Sequence, residues 1–201
     1  MKRLLKWGVM CSVLIPVVVS AVHPSIKISD IYYSGSGCPR GSVSVSMTPN
    51  KRAISAVFDR FFTSFSGVPS QRVKRCRLSM SLHVPSNKRV RLRQVRFRGF
   101  VDLPKKSSAK IVRNYRFGGS VKQFIKTWQG ESFKIINQRE PFSTKWSQCG
   151  KGVRLEIDSM TELKTYNKLR SQVGVDSFDH LMKRDYRGER GWRFVLDYAS
   201  C

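Results

Sequence analysis

Residues 76–84 read CRLSMSLHV, and that strict alternation leaves little freedom of fold. Successive side chains of a β-strand point to opposite faces, so Leu78, Met80, Leu82 and Val84 share one face and the polar residues share the other. A helix would scatter those four around its axis. SVSVSM (42–47) repeats the pattern, and AISAVFDRFF, KIVRNYRF, VKQFIKTW, FKIIN, VRLEI and the terminal RFVLDY are further strand candidates. Turn chemistry separates them, in GSGCPRGS, TPNK, SGVPS, VPSNK, LPKKSS, FGGS and QCGKG. Eight or nine short strands at this spacing predict a mainly β fold, a single antiparallel β-sandwich or barrel-like domain. One stretch departs from the pattern. Ser159 and Glu162 have capping-box spacing, and Leu163, Tyr166 and Val173 recur near a helical period before Gly174. That pattern admits one short helix near 160–172.

The most basic strand candidate is NKRVRLRQVRFRGF, residues 87–100. Val90 and Leu92 share one parity, with Arg89, Arg91 and Arg93 opposite. At Gln94 the phase slips, and Val95 and Phe97 become the apolar pair with Arg96 and Arg98 opposite. A one-residue bulge near Arg93–Gln94 keeps every apolar side chain inward and all five arginines outward. Without it the second half would turn arginines into the core, at several kcal/mol for each unpaired charge.

The first 21 residues have the layout of a secretory signal. Lys2, Arg3 and Lys6 form a positive start, Trp7 to Val19 an apolar stretch, and Val19-Ser20-Ala21 a small-x-small cleavage site. The apolar stretch is shorter than the roughly twenty residues that a membrane span needs. Residues 22–201 are then expected to form one exported domain with no transmembrane segment. The full chain carries 38 − 13 = +25, and removing the three basic residues of the signal leaves +22. Such a charge attracts polyanions and also keeps a protein soluble. Cys38, Cys76, Cys149 and Cys201 remain after cleavage. Their even count in an oxidising compartment, with no CxxC and no His at finger-like spacing, favours two disulfides over a metal site. Four cysteines allow three pairings, and spacing does not choose among them.

Several of these stretches occur together in a recognisable order: GSGCPRGSVSV (35–45), VFDRF (57–61), CRLSMSLHVP (76–85), FRGFVDL (97–103), YRFGG (115–119), WSQCG (146–150), DSFD (176–179) and a terminal Cys201. That order resembles the secreted domain-of-unknown-function family numbered 4360, found in bacteria and fungi. Gln148 stands where that family has Pro, Phe100 where it has Tyr, and Tyr198 where a Trp precedes the last cysteine. The resemblance implies a secreted, disulfide-bonded, mainly β domain, and it supplies no activity. It implies that the four cysteines are a framework, with Cys38 paired to Cys76 and Cys149 to Cys201. It also marks FD and RG together, which suggests a partly buried network of Asp59, Arg98 and Asp102.

No catalytic constellation is visible. His83 sits at a polar strand parity, His23 at the start of the exported part, and Asp179 and His180 are adjacent and so face opposite sides of a strand. There is no GxSxG, HExxH or P-loop, and GSGCPRGS reads as a turn feeding a strand. Asp176 and Asp179 are the closest acidic pair that could serve glycoside hydrolysis. No metal or cofactor site is expected. The basic residues remain: Arg72, Lys74, Arg75 and Arg77 at one segment, Lys88, Arg89, Arg91, Arg93 and Arg96 at the next. If SNK (86–88) closes a hairpin, the two rows are neighbours on one face. Guanidinium groups donate paired hydrogen bonds to phosphate, sulfate and carboxylate. The expected function is therefore non-enzymatic binding of a polyanion or anionic surface: lipopolysaccharide, anionic lipid, extracellular nucleic acid or polysaccharide. The alternatives are a secreted structural or host-interaction protein with a protein ligand, and third a glycan hydrolase. The sequence leaves the oligomeric state open.

Overall fold

The computed structural model describes residues 26–67, 70–166, 168–175 and 191–201. The signal reading, and the pair Asp176 and Asp179, lie outside them. Every regular element among the described residues is a strand, twelve in all. In chain order they are β1 (Lys27–Ser34), β2 (Val43–Met47), β3 (Ala53–Phe58), β4 (Phe62–Phe65), β5 (Ser70–His83) and β6 (Lys88–Leu103). Then follow β7 (Ser107–Phe117), β8 (Ser120–Gln129), β9 (Ser132–Pro141), β10 (Val153–Thr165), β11 (Ser171–Val175) and β12 (Trp192–Ser200).

Two antiparallel sheets form a sandwich. The first runs β1-β5-β10-β7-β8. In the second, β6 is the spine. β9 takes one edge of it along Gln94–Leu103, while β12 (opposite Lys88–Arg96) and β11 (opposite Gly99–Asp102) follow each other along the other edge. β3 pairs with β12 and β4 with β11, so these two also share one line, interrupted only at Asp59–Phe61. β2 completes that sheet beside β3. Inward side chains of both sheets meet in one core. At its centre Trp192 touches Phe58, Phe97, Tyr115 and Phe194, ring centroids 5.1–6.4 Å apart, and its Nε1–H donates to the Arg98 carbonyl at 3.1 Å. Aromatic contacts at tilted or edge-on angles stabilise a core beyond their buried area.

The alternating runs of the sequence became β2, β5, β6, β7, β10 and β12. The expected helix near 160–172 is overturned. Residues 160–165 continue β10, paired on both sides, and 171–175 are β11. The alternation was hidden because the inward positions Ser159, Thr161 and Thr165 are polar. Their hydroxyls are satisfied in the core: Ser159 Oγ donates to the Val112 carbonyl (2.9 Å), Thr161 pairs with Thr63 (2.8 Å) and Thr165 with Ser107 (2.9 Å). Buried hydroxyls with partners cost little.

The SNK hairpin is also overturned. β5 belongs to the first sheet and β6 to the second, so residues 84–87 cross between sheets, and Val84 is buried in that crossing. Gly118-Gly119 is the tight hairpin, joining β7 to β8 with φ of +53° and +83°. Both values lie in the left-handed region that two-residue hairpin turns require.

The bulge is where the phase slip placed it. Gln94 lies opposite Val195 and Leu92 opposite Leu196, which leaves Arg93 as the extra residue. Val90, Leu92, Val95 and Phe97 are fully buried, and all five arginines take the outward parity. The disulfides are Cys38–Cys76 and Cys149–Cys201, with Cα atoms 5.3 and 6.1 Å apart. The first ties the 35–42 turn to β5. The second ties the segment after β9 to the chain's last residue, beside Asn87 and Lys88.

Candidate polyanion interface

The crossing between β5 and β6 separates the two basic rows onto different sheets. Arg75 and Arg77 stand on the outer face of the first, where Arg77 reaches Asp158 at 3.2 Å. Arg72 and Lys74 share the inward parity of Cys76, but at an open margin. There the Arg72 guanidinium lies 5.2 Å from the Phe65 ring and the Lys74 ammonium 5.3 Å from that of Phe62. Partial burial lowers the Lys74 pKa, and the nearby Arg72 charge adds to that. The single-face reading of these four with β6 is therefore corrected: two inward-facing strands with a common core put their outward rows on opposite sides.

The outer face of the second sheet is built differently. After β9 the chain runs along the remaining free edge of β6. Thr144 and Ser147 donate backbone N–H bonds to Leu92 and Val90 (2.9 and 2.8 Å), and their hydroxyls accept the N–H groups of the same two residues (both 3.0 Å). That docking sets Trp146 among the arginines. Arg91 lies 4.7 Å and Arg89 5.1 Å from its ring centre. Arg91 donates to Asp197 Oδ2 through Nε and Nη2 (3.2 and 3.0 Å), while the half-exposed Arg93 stands 3.5 Å from Oδ1 of the same carboxylate. Arg89 Nε is buried with no hydrogen-bond partner among the described residues. Lys88 Nζ donates to Ser200 Oγ at 2.9 Å.

Further along, Arg96 lies directly between Arg193 of β12 and Arg139 of β9, three arginines in register on three strands. Like charges so placed repel. Arg98 stands opposite Asn137. The sequence reading found the β6 arginines but missed Trp146, Arg139, Arg193 and Asp197. Trp146 was visible within WSQCG, but nothing in its neighbours places it on this face.

Asp59 is exposed in the turn between β3 and β4, in place of the partly buried position that the sequence suggested, and its N–H donates to the Ser42 carbonyl at 3.0 Å. Arg98 and Asp102 are half-buried on β6.

A different ionic cluster is fully buried. Arg113 and Glu140 are 1% and 0% exposed, one from each sheet, and Arg113 Nε donates to Glu140 Oε1 at 2.7 Å. Tyr115 Oη donates to Oε2 at 2.5 Å, and Phe97 lies under the guanidinium at 4.2 Å. Burial raises the Glu140 pKa, against the opposing pull of Arg113 and Tyr115. Burial, and then the Glu140 charge, push the Tyr115 phenol up as well. Among the described residues no group of three or more His, Cys, Asp or Glu could hold a metal, and no helix is long and apolar enough to cross a membrane.

Three comparisons bear on this chain. The sequence profile of a family described as a domain of unknown function, DUF4360, matches residues 24–190. An "Uncharacterized secreted protein" of Arthroderma benhamiae is 28% identical over 167 residues, covering 79% of this chain and 68% of the relative. Among solved structures, TmCBM61 in complex with beta-1,4-galactotriose aligns over 72% of this chain and 88% of that one. Its identity of 13% and TM-score of 0.28 carry no argument about fold or ligand.

Proposed function

The chain belongs to the DUF4360 family, and from that premise we propose that it is an exported, non-enzymatic domain that binds polyanions through the outer face of its second sheet. Export is supported by the two disulfides, which persist in oxidising compartments, and by the description of the fungal relative as secreted.

One observation carries the reading of the face. Arg89 and Arg91 lie against Trp146, and Arg91 shares a single carboxylate, Asp197, with the neighbouring Arg93. On the outer face of the first sheet, by contrast, three of the cations, Arg77, Arg116 and Lys164, each stand beside their own acid: Asp158, Glu156 and Glu162. Exposed pairs of that kind add little stability and leave little net field. An excess of guanidinium groups held on rigid strands, with one Nε unpaired, is organised for an incoming oxyanion. The indole holds two of the forks in place through cation–π contact.

The test is binding to heparin and to single-stranded nucleic acid as a function of salt. Affinity should fall steeply as salt rises, since each contact releases counterions. Replacing Arg89, Arg91 and Arg93 with Ser should remove most of the binding, while a lysine version restores the salt-dependent part without the paired hydrogen bonds. Full retention of binding by the serine variant overturns the assignment.

A further inference from the structure

A second basic feature lies away from that face. The turn 35–42 and the Asp59–Phe61 interruption between β3 and β4 border an open hollow of about 580 Å³ with the first half of β5. Arg40, Arg60 and Lys74 line it, with Asp59, Phe62 and the Gly41-Ser42 backbone. A volume in this range holds a small ligand.

Its walls are fixed before any ligand arrives. Cys38–Cys76 staples the turn to β5, and Gly37 N–H donates to the Arg75 carbonyl at 2.8 Å. A side chain at Gly37 would strike the Phe61 ring, so only glycine allows this approach. Three of the amides at the hollow are already engaged. Gly41 N–H donates to Tyr33 Oη (2.8 Å), Ser42 N–H to the Pro39 carbonyl (3.1 Å) and Asp59 N–H to the Ser42 carbonyl (3.0 Å). With those amides taken, the positive character of the hollow comes mainly from the side chains of Arg40, Arg60 and Lys74.

We propose that this hollow binds one acidic sugar residue of a polysaccharide, with Arg40, Arg60 and Lys74 on its anionic group and Asp59 on its hydroxyls. The proposal rests on the polyanion reading only in taking the ligand to be an acidic polymer. Three cations call for an anion, and partial burial beside Arg72 makes an anion near Lys74 more welcome still. A bare oxyanion would be repelled by Asp59, whereas a sugar supplies hydroxyl donors for that carboxylate. A nucleobase finds no open aromatic face, because Lys74 already covers the Phe62 ring. An acyl chain finds no apolar groove, Phe62 being the one large apolar side chain in the lining.

The test is calorimetric titration of the intact disulfide-bonded protein with galacturonic acid trimer, neutral galactose trimer and inorganic sulfate. The acidic trimer should bind and the neutral one should not. Lys74→Met combined with Arg60→Gln should weaken the acidic trimer at least about tenfold, the scale of a lost charge-assisted hydrogen bond. Asp59→Asn should move the two anions in opposite directions, weakening the trimer and tightening sulfate. These side chains lie at the surface, and an unchanged melting temperature of each variant certifies the fold. Absence of trimer binding, an unaffected double variant, or sulfate binding as tight as the trimer overturns the proposal. Failure of the strand-face reading looks different, as heparin binding that survives the Arg89, Arg91 and Arg93 substitutions, and it leaves the trimer result intact.

Discussion

A charged residue at the inward parity of a strand is costly unless a partner comes with it. Arg113 shares the parity of Ile111, Tyr115 and Phe117, so its burial was readable from KIVRNYRF. Its partner was not. Glu140 sits in INQREP, where no alternation marks a face, and only the stacking of β7 against β9 across the sandwich brings the two together. Arg113→Met should cost about 3–5 kcal/mol in urea denaturation, because it strands a buried carboxylate. Adding Glu140→Leu should recover most of that loss, since a buried ion pair often does no better than an apolar pair of similar volume. The pH dependence has a definite sign. A carboxyl whose folded pKa is raised contributes stability that is fully present below the ordinary carboxylate range and is lost as pH rises through the raised value. The Arg113→Met deficit should therefore shrink as the medium is acidified, and the double variant should show no such trend.

At the scale of the strand, the bulge yields a deletion experiment. Removing Arg93 leaves VRLQVRFR, an unbroken alternation in which Val90, Leu92, Val95 and Phe97 still face inward. Removing Arg96 instead puts Val95 and Phe97 next to each other, so closing the bulge keeps Phe97 inward only by turning Val95 out and Gln94 in. Deletion of Arg93 should keep the midpoint of the cooperative thermal transition by near-ultraviolet circular dichroism close to that of the parent, and deletion of Arg96 should lower it clearly. The contrast shows what was legible in these elements. The phase slip at Gln94 was a signal in the residues themselves. β10 was partly misread because hydroxyls stand at inward positions where the pattern seeks apolar groups. β11 and β4 are too short, at five and four residues, to show a period at all.

Across the whole molecule, the sequence carried the class of fold but not the arrangement of its sheets. A short connection such as 84–87 can turn within a sheet or cross to the facing one. Both choices bury the same Leu82 and Val90, so the apolar pattern is silent between them. Two disulfides were legible from the cysteine count, and their pairing only through the family resemblance. Cys149–Cys201 closes a 52-residue separation and holds the segment bearing Trp146 against β6. Replacing both cysteines with Ser should cost about 4 kcal/mol on the chain-entropy account. It should also weaken heparin binding more than loss of the Cys38–Cys76 bridge does, when each is compared at the same folded fraction.

The crossing after β5 has one more effect. It leaves basic side chains on both broad sides: Arg75, Lys110 and Arg154 beside the three couples of one sheet, and the arginines of β6 on the other. One copy can therefore face two anionic chains at once. Between such chains it would act as mortar between bricks, drawing separate strands into one gel.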